Sequence, residues 1–236
     1  TLRDGITYED GDPVTSGDIK YAIERLYQPG VLVADQTVTL RCLLAECDDR
    51  NLPRYLGPRS GDLSSIDTPD DRTIVFTLRE PFATFDYLMA LSSTAPVPPS
   101  KDVSAAYHKR KLATGPFRIA SYQPKQRITF ERNPRWNPDS DPIRKPLLDE
   151  VTIEFIPDLK ELDELLIAGA IDARADTGLQ PAFQVEALAD PELRKQVDTP
   201  LDGGVRYLAL SRSVAPLDNI HCRRAIAYAV DKQSFL

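Results

Sequence analysis

The chain has 236 residues, 42% of them hydrophobic and 28% charged, which is enough apolar material to bury a core and too much for wholesale disorder. Its 29 basic and 36 acidic residues leave a formal net charge of -7, with no basic block to neutralise a row of phosphates, so nucleic acid is not expected as a partner. No apolar run approaches the roughly 20 residues that a membrane-crossing helix needs.

The first clear element spans residues 15–27, where Ile19, Ala22, Ile23 and Leu26 recur at the spacing of one helix face and Thr15 with Asp18 supplies an N-terminal cap. Residues 28–66 dissolve into Pro, Gly, Asp and Arg and are expected to form an irregular insertion, with a short strand or helix near 38–44. In 73–78, Ile74, Phe76 and Leu78 alternate with Thr73, Val75 and Thr77 ahead of Glu80-Pro81, the period of a strand. A short helix is expected from Phe82 or Thr84 to Ala90, then a loop rich in Ser, Thr and Pro over 91–101.

Gly115-Pro116 precedes two strand-like runs, 117–122 and 127–132, which a polar turn joins into a hairpin. After a loop over 133–145, Val151, Ile153 and Phe155 alternate as a strand with one buried face. Asp158, with Glu161 three residues on, caps a helix whose Leu162, Leu165 and Leu166 face inward and whose end is marked by Gly169. A helical region from 181 to about 196 leads through Asp202-Gly203-Gly204 into a strand over 205–210. The last helix, 219–231, gathers Cys222, Ala225, Ile226, Ala229 and Val230 on one face that needs a partner. The pattern is mixed α/β throughout, without internal repeats.

Cys42 and Cys47 can close a short disulfide loop if their stretch is not helical, whereas Cys222 on its apolar helix face is expected to be a buried free thiol. Neither end carries a leader or a tail-like composition, so the chain is expected to be an internal piece of a longer protein, with any signal peptide outside it.

The sequence offers little catalytic chemistry. Its two histidines, His108 and His221, lack a second histidine at ligand spacing, and His108 lies in a basic Tyr-His-Lys-Arg-Lys run that reads as a solvated patch. There is no G-x-S-x-G elbow, no GxGxxG and no phosphate-binding G-x-x-x-x-G-K-[ST], so no catalytic residue and no cofactor is assigned. Asn137, Asp139 and Asp141 have the opening spacing of a calcium loop, but Pro142 stands where glycine is required and Leu148 where a bidentate carboxylate is required; an acidic turn is expected instead, and no metal. The loop Ser92-Ser93-Thr94-Ala95-Pro96-Val97 presents small hydroxyls without bulk, which suits backbone and hydroxyl contacts to a ligand, although composition alone equally describes an ordinary surface loop.

Several phrases in order resemble the family 5 extracellular solute-binding proteins, the peptide and nickel binders that serve ABC importers. They are Leu2-Arg3-Asp4-Gly5 through Asp10-Gly11-Asp12-Pro13-Val14-Thr15, then Thr114-Gly115-Pro116-Phe117, then Glu131-Arg132-Asn133-Pro134 with Trp136. Ile156-Pro157-Asp158, Gly169-Ala170-Ile171-Asp172, Tyr207-Leu208-Ala209-Leu210 and the run from Arg223 to Asp231 extend the likeness over nearly the whole chain. Ser211, Ala113 and Cys222 depart from the family's usual Asn, Gly and Val, and residues 28–66 do not match well.

The resemblance implies a periplasmic-binding-protein-like class II fold that closes by hinge motion on its ligand and does not transform it. It implies that 1–112 form most of the smaller subdomain of lobe I and 113–236 the central segment of its larger subdomain, with lobe II absent. The ligand-facing positions it implies are Ser92, Ser93, Thr94 and Ala95, with Gly203 and Gly204 on the approach to the strand. Implied partners are a peptide or small polar solute and ABC permease subunits, in a periplasmic or lipoprotein-anchored extracellular setting. A ligand-sensing regulatory module is the alternative; a hydrolase lacks a nucleophile and base. A chain holding only part of a lobe is also expected to expose apolar surface and self-associate.

Overall fold

The computed structural model describes residues 1–29, 37–48, 52–103, 107, 111–175, 178–198 and 209–231. The chain divides into two compact units, Thr1–Pro157 and Asp158–Leu236. No helix among the described residues is long and apolar enough to cross a membrane.

The first unit is organised around α1, Ser16–Arg25. Thr15 caps it as expected: the Thr15 side chain accepts from Asp18 N while the Asp18 carboxylate accepts from Thr15 N at 2.9 Å, which satisfies two otherwise orphaned donors. Against it lies α2, Thr37–Leu44, whose Leu40 and Leu44 join Ile23, Leu26 and Tyr27 in the main core. The stretch expected as irregular, with a short strand or helix, thus contains a helix, and its Leu40, Leu43 and Leu44 have the spacing of one helix face. Helix and disulfide coexist: Cys42 lies in the last turn of α2 and bonds Cys47 just beyond it, with 5.4 Å between the Cα atoms. The condition that the bridge needs a non-helical stretch is corrected, because only one cysteine sits in the helix.

Residues 73–78 alternate inward as read, since Ile74, Phe76 and Leu78 pack on the core. Only β2, Val75–Phe76, pairs, antiparallel to β1, Ile66–Asp67. The short helix is α3, Phe85–Met89, with Phe85 edge-on to Phe76 at 5.1 Å between centroids. The hairpin is β3, Phe117–Gln123, with β4, Arg127–Arg132, turned through Lys125 in the left-handed region at φ 61°. It is extended by β5, Glu150–Glu154, to give an antiparallel sheet of order β3-β4-β5. The buried face expected for the β5 run is not formed: Val151 is half-buried, but Ile153 is 36% and Phe155 46% exposed. Within this sheet β5 is an edge, paired only through β4.

The acidic turn after β4 has Asn137 capping a 3-10 turn, Pro138–Ser140, and Asp141 Oδ1 accepting from Ile143 N and Arg144 N, each at 3.2 Å. These oxygens close the chain's own turns, and among the described residues no group of three or more His, Cys, Asp or Glu is placed to hold a metal. Trp136, the single tryptophan, is half-buried here, and its buried Nε1 finds no hydrogen-bond partner among the described residues.

In the second unit α4, Leu159–Ile167, is capped by Asp158, which accepts from Lys160 N and Glu161 N, and ends before Gly169 at φ 69°. Leu162, Leu165 and Leu166 are only half-buried, and the fully buried position is Asp163, which holds the Arg174 guanidinium and accepts from Gln180 N at 2.9 Å. The region from 181 is two helices, α5, Pro181–Ala189, and α6, Pro191–Arg194. They separate at Asp190, because Pro191 lacks an N–H and the Asp190 carboxylate caps α6 instead. The last helix is α7, Ile220–Ala229, capped by Asn219. Its expected buried stripe is open: Cys222 is free but only half-buried, and Ala225 and Ala229 are exposed. The strand expected over 205–210 falls on residues 205–208 outside those described, and 209 and 210 have no regular structure.

Candidate functional site

The hydroxyl-rich loop and what holds it define the candidate site. At its start, Ser92–Thr94 form a 3-10 turn after α3. Thr94 is buried, and its Oγ1 hydrogen lies between Leu91 O at 2.7 Å and Met89 O at 2.9 Å. Ser92 and Ala95 are exposed and Ser93 is half-buried. Of the four loop residues, three therefore face outward at least in part, while the Thr94 hydroxyl is committed to its own backbone. Gly203 and Gly204 lie outside the described residues.

In mid-loop, Val97 N donates to Asp18 O of α1 at 3.2 Å, and Val97 packs with Ala22, Tyr107 and Tyr21 in a second small core. At its far end the Asp102 carboxylate accepts from Tyr21 Oη at 2.8 Å and from Arg25 Nε at 2.9 Å. Both members of the ion pair are sheltered, with side chains 13% exposed for Arg25 and 3% for Asp102. The Arg25 guanidinium also lies over the Tyr107 ring at 5.3 Å, so charge and π-face share one cation. Burial, followed by the bond to Asp102, pushes the Tyr21 hydroxyl up to about 12.

The N-terminal phrase reinforces the same loop. Thr7 bridges Pro13, and Tyr8 N donates to Asp12 O at 2.9 Å, which makes a tight hairpin over Asp10-Gly11-Asp12. Gly11 is required there: its φ is 99°, and a Cβ would meet Arg135 Nη1 at 3.0 Å. The two carboxylates grip Lys101, Asp12 at 2.5 Å and Asp10 closer still, and the ammonium holds the Asp10 carboxyl below its usual range. Tyr8 is buried, and desolvation first, then the neighbouring Asp18 charge, drives its hydroxyl far above the usual phenol range. Glu9 ties the hairpin to residue 113, with Glu9 N donating to Ala113 O at 2.8 Å.

Sequence reasoning did not single out Tyr21, Arg25, Lys101 or Asp102. Tyr21 and Arg25 stand four apart and so share one side of α1, which was the available signal; nothing local marks Asp102 as their partner. Elsewhere, a groove of about 490 Å³ has an apolar floor from Pro116, Phe117 and Phe130 and a basic rim from Arg144 and Lys145. Arg144 is ion-paired to Asp141, which leaves its charge partly spent.

The arrangement is a loop of small residues fastened to α1 at its middle and far end. Residues 1–236 match the family described as bacterial extracellular solute-binding proteins, family 5 Middle, over their whole length, and the chain belongs to that family. Its members are solute-binding proteins. The chain is 29% identical, over 243 residues, to the probable D,D-dipeptide-binding periplasmic protein DdpA of Escherichia coli strain K12, covering 100% of this chain and 41% of that protein. It is 25% identical to the oligopeptide-binding protein OppA of Bacillus subtilis strain 168, covering 100% of this chain and 42% of that one. Among solved structures, clavulanic acid biosynthesis oligopeptide binding protein 2 matches with a TM-score of 0.86 and 41% identity, over 98% of this chain and 41% of that one. The chain thus spans about two fifths of the length of the relatives it matches. The fold is mixed α/β, part of a periplasmic-binding-protein-like structure.

Proposed function

We propose that the protein to which this chain belongs is the extracellular substrate-binding component of an ABC importer, capturing peptides or similar small polar solutes by two-lobe closure and delivering them to a membrane permease. The observation that carries the reading is the match of every residue, 1–236, to one solute-binding family. Support for the solute class comes from relatives named for binding D,D-dipeptides and oligopeptides. In this reading 1–112 belong to the smaller subdomain of lobe I and 113–236 to the larger one. Ser92 and Ser93 offer hydroxyl contacts to the solute, Thr94 and Ala95 backbone ones alone, and Gly203 and Gly204 are the other positions proposed to contact it. Pocket shape and a few hydrogen bonds set selectivity, and no bond in the solute is broken.

The test is calorimetric titration of the full-length protein with an equimolar pool of synthetic di- to pentapeptides, followed by recovery of the retained species. Saturable binding with the peptides recovered intact is expected. Absence of binding, or recovery of cleaved peptides, would overturn the reading.

A further inference from the structure

We infer that Asp102 is a positioning residue for solute binding: by bridging Tyr21 and Arg25 of α1 it fixes the rim loop 92–97 without touching the solute. The inference rests on the proposed role of that loop. Besides the exposed grip of Asp10 and Asp12 on Lys101, three attachments define the loop's place. Thr94 ties its start to the end of α3, Val97 N ties its end to Asp18 O, and Asp102, a few residues on, ties the segment that leaves it to α1. The first two are neutral hydrogen bonds. The third is charge-assisted and sheltered, with Arg25 further held over Tyr107, and is the strongest of the three. Within 92–95 only Thr94 is buried, so the order of the outward-facing residues depends on the loop's attachments. Loosening the latch spreads the rim over several positions, and a solute then binds only the fraction that is correctly placed.

Four full-length proteins test this: wild type, Asp102→Asn, Tyr21→Phe, and the control Asp62→Asn, which removes an exposed α1 ion pair with Lys20. Each is examined by hydrogen–deuterium exchange and by titration with the di- to pentapeptide pool. In wild type the pool is expected to slow exchange over 91–98. Asp102→Asn is expected to speed exchange there and to weaken binding, each about tenfold, with β3–β5 unchanged. Tyr21→Phe moves both in the same direction by less, and Asp62→Asn moves neither. Unchanged loop exchange and affinity in both latch variants would overturn the inference while leaving the proposed function standing. A wild-type protein that binds the pool without protecting 91–98 removes the loop's proposed role and the inference with it, while solute binding stands; one that does not bind the pool removes the proposed function as well. Should Asp102→Asn lose protection in β3–β5 as well, Tyr21→Phe decides alone.

Discussion

Glu24 is a carboxylate that folding takes out of water: it is buried on α1 and accepts from Leu63 N at 3.0 Å. Burial is the leading influence on it and holds its pKa above the ordinary value, against that hydrogen bond and the nearby Lys20. A carboxyl raised in this way contributes stability below its unfolded value of about 4.3, and the contribution is lost as pH rises through the folded value. Glu24→Gln keeps an acceptor for Leu63 N and removes the charge. It is expected to unfold at a higher denaturant midpoint than wild type near neutral pH, with the gap closing toward about pH 4. Asp70 has the opposite sign, because Arg72 N and Thr73 N donate to its carboxylate and lower its pKa. Its contribution is present above the unfolded value and fades in acid. Denaturant titrations at stepped pH check the first point; a gap that does not change with pH would contradict it.

Among the elements, the Cys42–Cys47 bridge ties the end of α2 to the strand-like contact of Cys47 with Pro53. A cross-link of sequence separation 5 closes a small loop, worth about 2 kcal/mol by chain entropy. The double variant Cys42→Ser with Cys47→Ser is expected to lose about that much in chemical denaturation; unchanged stability would show that the bridge contributes nothing. Helices α1 and α4 were legible in the sequence because their signals are local, Thr15 and Asp158 capping within three residues, and α7 was legible from the spacing of its apolar residues. α2 was half legible, since eight residues amid Gly, Pro and Asp give too short a period to separate helix from strand. The burial of Asp163 was not legible. A leucine stripe beside it read as the inward face, and only the tertiary placement of Arg174 explains an acid at that position. The site divides in the same way. The composition of Ser92–Ala95 marked the loop, whereas the latch at Asp102 depends on Tyr21 and Arg25, brought to it from far along the chain.

For the whole molecule, the two units are unequal. Among the described residues of the second, Ala187 is the only buried apolar side chain, while Val185 is 71%, Leu188 48% and Tyr228 89% exposed. Such surface favours association over solvation, and the net charge of -7 opposes it weakly. The 236-residue chain is therefore expected to self-associate as its concentration rises, more strongly in high salt, which screens that repulsion. Sedimentation velocity over a concentration series checks this, and a single monomeric boundary throughout would contradict it.

Trp136 gives this lopsided chain an internal reporter. It is the sole indole and belongs to the first unit, with its ring nitrogen shut away from solvent. Emission excited selectively at the indole band therefore arises from Thr1–Pro157 alone, and its shift to the red on denaturation times the opening of that unit. Far-ultraviolet circular dichroism, to which both units contribute, then carries the remainder, so two optical signals separate the unfolding of the two units without any label.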